Sequence, residues 1–275
     1  MEHIASRQSL EDSTRRLLSV AAPLDDAGLE QLGGELAAVG GLLHRETALR
    51  RTLSETTTPM ETRVGIMDRL LAGKVSQPTR TLVDHVLRQP WASGADLRDG
   101  FDRLGRTAMF LRAERLGELD DVEDQLFRFG RIIAASPELS VVLDDPTVTG
   151  PARAQLVRRL LEGRAHPLTV QLLTALAREP GGRSYLHGVR ELVDQAAERR
   201  DKVVAVVQTA VALTAEDRSR LVAALGRIYG RAVTTHEMVV PALQGGIRVL
   251  VQDEVIDGSV AGRLDGLRRR LAGRA

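Results

Sequence analysis

The chain has 275 residues and a formal net charge of +1 at pH 7, from 38 basic and 37 acidic side chains. It contains no cysteine, which excludes a disulfide framework, a thiolate metal site and a cysteine nucleophile. Aromatics are 3% of residues, too few for stacking platforms, and the near-zero charge with interspersed signs argues against a nucleic-acid footprint.

Only Lys74 and Lys202 are lysine, so the basic set is almost all arginine, a bias that a GC-rich genome produces. The N-terminal stretch lacks the apolar centre of a signal peptide. The longest uncharged stretch, 203–215, is shorter than the ~20 apolar residues of a spanning helix. The chain is therefore expected in the cytoplasm, reaching a membrane only through a partner.

Residues 1–200 read as successive amphipathic helices. Leu29, Leu32, Leu36, Val39 and Leu43 recur at helical spacing, and Leu119, Val122, Leu126, Phe129 and Ile133 repeat the stripe 90 positions later. The same offset relates Gly40 to Gly130, Leu53 to Leu143, Gly73 to Gly163 and Pro90 to Pro180. A constant offset without gaps points to internal duplication.

Helix punctuation follows the repeat. Thr58-Pro59-Met60-Glu61 reads as a capping box, opening a helix that buries Met60, Val64, Met67 and Leu71 and stops at Gly73 in a left-handed conformation. Thr149-Gly150-Pro151 opens the equivalent helix, which Gly163 ends; Ser93-Gly94-Ala95-Asp96 and Ser136-Pro137-Glu138 are further starts. A single apolar stripe per helix must be covered by neighbours, which predicts two tandem helical bundles. One long helix over 93–116 is expected to serve both.

Beyond residue 200 the pattern changes. The β-branched run 203–207 predicts a strand covered on both faces. Residues 214–230 predict a helix carrying Leu221, Leu225 and Ile228. Met238-Val239-Val240 and 247–251 predict two more strands, and Asp257-Gly258-Ser259 caps a final helix over 260–271. The fold class is mainly α: two bundles followed by a small β-α-β-β-α domain, with domains at 1–105, 106–200 and 201–275.

Catalytic chemistry is not evident. There is no phosphate-cradling G-x-x-x-x-G-K-[ST] loop. His3, His44, His85, His166, His187 and His236 never fall at metal-ligand spacing, and His236-Glu237 has no nearby nucleophile. The pairs Asp25-Asp26, Asp120-Asp121 and Asp144-Asp145 read as helix caps rather than cation sites. Trp91 reads as a core or inter-bundle anchor. What remains is surface: grooves between neighbouring helices can take an amphipathic helix from a partner.

The tail carries a more specific pattern. Pro241-Ala242-Leu243-Gln244-Gly245-Gly246-Ile247-Arg248-Val249, then Val255-Ile256-Asp257-Gly258-Ser259-Val260-Ala261-Gly262-Arg263-Leu264, resembles the C-terminal signature of the F-type ATP synthase delta subunit family, whose mitochondrial member is the oligomycin-sensitivity-conferring protein. The resemblance runs from about residue 106 to the end. The added N-terminal hundred residues resemble the long form of high-GC Gram-positive bacteria. Two departures are Val240, where the family usually has Asp, and Gln252-Asp253, where it often has Gly-Asp.

The signature reads as structural. Gly245-Gly246 permits a bulge or positive φ, Ile247 with Val249 and Val251 packs one sheet face, and Asp257 or Ser259, flanking Gly258, caps the last helix. The resemblance implies a non-catalytic stator subunit without cofactor or metal, peripheral at the cytoplasmic face of the cell membrane. It implies two partners: N-terminal helices of alpha subunits, held in interhelical grooves, and C-terminal helices at the ends of b subunits. A generic helical adaptor, unrelated to ATP synthesis, is the alternative.

Overall fold

The computed structural model describes residues 4–55, 57–200, 202–229, 232–243, 245–251, 254–260 and 262. The chain forms two compact units, Met1–Arg199 and Arg200–Ala275.

The first unit holds α1 (Ile4–Ala21), α2 (Asp26–Arg45), α3 (Thr47–Ser54), α4 (Met60–Leu71), α5 (Gln77–Arg88), α6 (Gly94–Arg115), α7 (Leu119–Ala135), α8 (Pro137–Asp144), α9 (Gly150–Leu161), α10 (Pro167–Arg178) and α11, which ends the series at Tyr185–Arg200. The limits of α3, α4 and α5 recur in α8, α9 and α10 after a shift of 90 residues.

Two hydrophobic clusters form the interior. In the first, the α2 stripe Leu29, Leu32, Leu36, Val39 and Leu43 packs with Leu17, Met67, Leu82, Phe101 and Leu104. In the second, the α7 stripe Leu119, Val122, Leu126, Phe129 and Ile133 packs with Phe110, Leu173, Tyr185 and Leu192. Each fully buried Leu or Phe contributes about 1.5–3 kcal/mol of transfer free energy. Helix α6 supplies Leu97, Phe101, Leu104, Ala108 and Leu111 to the first cluster and Met109, Phe110 and Ala113 to the second. It is the long shared helix that the sequence predicts.

The α2–α6 crossing is close because glycine lines it. A Cβ on Gly105 would lie 3.1 Å from the Gly33 carbonyl oxygen and 3.2 Å from the Ala37 nitrogen, and one on Gly33 would press Met109 at 2.9 Å. Elsewhere, Gly100 makes room for the buried ring of Trp91, whose indole N–H donates to the Val86 carbonyl at 2.8 Å. Trp91 is thus a core anchor.

Several caps form as the sequence predicts. Ser93 accepts from the Asp96 N–H at 3.0 Å and Thr149 from the Ala152 N–H at 3.4 Å, while Gly73 and Gly163 adopt φ of 69° and 70°. The capping box at Thr58 does not form. Pro59, with ψ 138°, is itself the cap residue and no side chain caps α4. Glu61 instead accepts from Arg88 at 2.9 Å, and Met60, 40% exposed, lies against the same guanidinium rather than in the core.

The second unit contains β1 (Lys202–Thr209), α12 (Ala215–Tyr229), β2 (Ala232–Val239), a short 3-10 turn (Pro241–Leu243), β3 (Ile247–Val251) and β4 (Glu254–Asp257). Sheet order is β2-β1-β3-β4; β1 and β2 are parallel, and the other two pairings are antiparallel. A parallel neighbour needs a crossover, which α12 supplies. Ala205, Val207, Val249 and Val251 are buried beneath Leu221 and Leu225.

Three expectations change here. Ile228, in the last turn of α12, is 65% exposed rather than packed. Strand β2 begins at Ala232, well before Met238, and stops short of Val240. A fourth strand, β4, joins the sheet; its four residues offer too little alternation to be read from sequence. The predicted final helix over 260–271 and the Gln252-Asp253 turn lie outside the described residues, apart from Val260 and Gly262.

Candidate functional site

The signature residues, separated by ten positions in sequence, meet at one end of the sheet. The β3–β4 hairpin sets Arg248 opposite Asp257. The Gly258 N–H donates to the Ile247 carbonyl at 2.9 Å, and the Val260 N–H donates to the Gly245 carbonyl at 3.0 Å. The two halves of the motif are therefore stitched together by main-chain bonds.

Glycine is required at this meeting point. Gly245 and Gly246 have φ of 134° and 74°. A Cβ on Gly246 would overlap the Gly258 carbonyl and approach the Ser259 Cα at 2.9 Å. The sequence-based choice between bulge and positive φ resolves as positive φ at both residues.

Ser259 is the cap. Its hydroxyl accepts from the Gly262 N–H at 3.0 Å, while Asp257 accepts from the Ser259 N–H and hydroxyl at 2.9 and 2.6 Å. Asp257 also receives the Arg248 guanidinium at 2.9 and 2.6 Å. The Ser259 and Arg248 donors favour the ionised carboxylate and hold Asp257 down to about 2. Gly262 has no room for a side chain, since a Cβ would touch this carboxylate at 2.7 Å. The roles of Arg248 and Gly262 do not follow from the motif as a string of residues. The signal for Arg248 is the hairpin register, which puts opposite charges across from one another.

Ile247 packs against the buried Val249 and Val251 as expected. The Ser259 hydroxyl is taken up by the Asp257 carboxylate and the Gly262 N–H, and no group of three or more metal-ligating side chains occurs among the described residues. The arrangement ties the β3–β4 hairpin to Ser259, Val260 and Gly262 that follow it.

The first unit also offers a shallow groove between α4 and α5. Val64, Met67, Leu71, Val83 and Leu87 line it. Ion pairs border it, with Arg80 to Asp68 at 3.1 Å and Arg88 to Asp84 at 3.0 Å.

The model of the family described as "ATP synthase delta (OSCP) subunit" matches residues 107–271. The chain belongs to that family. It is 43% identical to the ATP synthase subunit delta of Streptomyces avermitilis over 270 residues, covering 98% of both chains. It is 40% identical to that of Nocardia farcinica over 273 residues, 98% of this chain and 100% of the relative. Residues before 107 fall outside the family model but within these full-length matches. A chain of the Toxoplasma gondii mitochondrial ATP synthase hexamer is 20% identical and covers 61% of this chain and 95% of that one, at a TM-score of 0.29, too low to equate the folds. No helix among the described residues is long and apolar enough to cross a membrane.

Proposed function

We propose that the chain is a non-catalytic peripheral-stalk subunit of a proton-translocating F-type ATP synthase, joining the alpha/beta head to the stalk of b subunits so that the head resists rotor torque. The observation that carries this reading is the family match over 107–271, extended by full-length relatives named ATP synthase subunit delta. The protein works at the cytoplasmic face of the cell membrane, held there by its partners.

Three functional parts divide the work. Residues 106–200 take the N-terminal helix of an alpha subunit in an interhelical groove; 201–275, organised by Gly245, Gly246, Ile247, Asp257, Gly258 and Ser259, grips the C-terminal helices of the b subunits; and 1–105, a duplicate of the second bundle, adds a brace. The recurrence of helix limits after 90 residues supports the duplication. The continuous α6 supports a stiff link, since one rod runs through both clusters. Separate modest contacts on one chain raise one another's effective concentration.

Affinity capture of the full-length chain from detergent-extracted membranes tests the reading. Alpha and b subunits co-purify, and truncating the alpha N-terminal helix removes alpha while leaving b. Membranes that lack the chain and still couple proton flow to phosphorylation overturn it.

A further inference from the structure

The α2–α6 crossing holds a charge that neither the family match nor the proposed stalk role calls for. Asp102 of α6 points at Gly40 of α2 so closely that a Cβ on Gly40 would overlap its carboxylate oxygen. Around it stand Arg98, Asp99 and Arg106 of α6 and Glu179 from the segment after α10.

Those neighbours are engaged elsewhere. Arg98 binds Asp99 at 2.5 Å, and Arg183 binds both Asp99, at 3.4 Å, and Glu191 of α11. Arg45 of α2 binds Glu179 at 3.2 Å. The Arg106 side chain donates to the main-chain oxygen of Asp102 at 3.2 Å rather than to its carboxylate. Ninety positions later the sequence has Leu192, 1% exposed, and a Cβ on Gly130 would meet Val189 at 3.3 Å, so the half-buried acid belongs to the first crossing alone.

We propose that Asp102 is a proton-operated latch on the α2–α6 crossing: its charge opposes close packing against Gly40, and proton uptake tightens the contact between these two helices. Burial first, then the nearby Asp99 and Glu179, pushes its pKa up to about 6 from an ordinary 3.8, against the pull of Arg106 and Arg98. An acid whose folded pKa is raised destabilises the fold above that value, and the fold gains stability as pH falls through it. Between pH 7 and pH 5 the folding equilibrium constant gains a factor of about ten from this group. His85 of α5, its pKa lowered mainly by burial, opposes the trend in the same range but is common to every variant compared.

Urea unfolding of the full-length chain, followed by Trp91 fluorescence at pH 7, 6 and 5, tests this with Asp102→Asn. The ratio of wild-type to variant folding constants rises about tenfold from pH 7 to pH 5; a ratio constant with pH overturns the latch. If the variant does not fold, the assigned Asp102 carboxyl carbon resonance of the wild-type chain decides: a midpoint near 6 supports the latch, and a midpoint in the ordinary aspartate range near 4 overturns it. Neither result depends on partner binding, so failure here leaves the proposed function standing.

Discussion

The carboxylate of Glu35, on α2, accepts hydrogen bonds from both the main-chain N–H and the hydroxyl of Ser76, at 3.0 and 2.7 Å, and so ties α2 to the first turn of α5. Thr79 adds a third donor at 2.5 Å. Ninety positions on, Gln125 accepts from the His166 N–H at 2.7 Å, a neutral form of the same tie.

Replacing Glu35 separates these contributions. Glu35→Ala leaves the α5 terminus without its acceptor and costs about 1.5–3 kcal/mol, while Glu35→Gln, which imitates Gln125, costs about 1 kcal/mol, both at the low end because the site is half-buried. Although burial raises the Glu35 pKa, the Thr79 and Ser76 donors together outweigh it and set it below the ordinary 4.5. The tie is therefore fully present above that value and is lost as pH falls below it. Urea titration of wild type and variants at pH 7 and pH 3.5 measures both effects.

Trp91, the single tryptophan, reports on the first cluster because Gly100 abuts its ring. Gly100→Ala would place a methyl 2.5 Å from the indole Cη2. We expect a loss of about 1–3 kcal/mol from overpacking and a red-shifted emission, read by fluorescence-monitored unfolding.

Gly246→Ala meets both a positive φ and the Gly258 carbonyl. The expected outcome is local: faster amide exchange across β3 and β4, with Trp91 emission unchanged. Asp257→Asn weakens the same junction in a pH-dependent way. The Asp257 pKa is lowered to about 2, so its contribution is complete above the ordinary aspartate value and fades as pH falls toward 2. Exchange rates at pH 6 and pH 3, the latter for the wild type, check this.

Leu126→Ala opens a cavity in the second cluster and costs about 2–5 kcal/mol. Because α6 lines both clusters, the Trp91 transition moves to lower denaturant together with the far-ultraviolet circular dichroism. A Trp91 midpoint that stays in place would mean the two clusters unfold independently.

The long one-sided stripes of α2 and α7 were legible in the sequence because every stripe residue faces a neighbour, and all ten are buried. The glycine stops at Gly73 and Gly163 were legible because positive φ is a local demand. The Thr58 box was not, because Arg88, distant in sequence, competes for Glu61 and leaves Met60 at the surface. The convergence of Gly246 on Gly258 follows from hairpin register. The Asp102–Gly40 approach was hidden for the same reason: the repeat marks Gly40 but says nothing of which side chain crosses it.

One rod with two owners also dictates how the molecule can be taken apart. A cut through α6 leaves each fragment missing a wall, so neither half of Met1–Arg199 can be purified intact by severing the other. Chimaeras with related proteins should be spliced near residue 200, where one compact unit gives way to the next, and not midway along the shared helix.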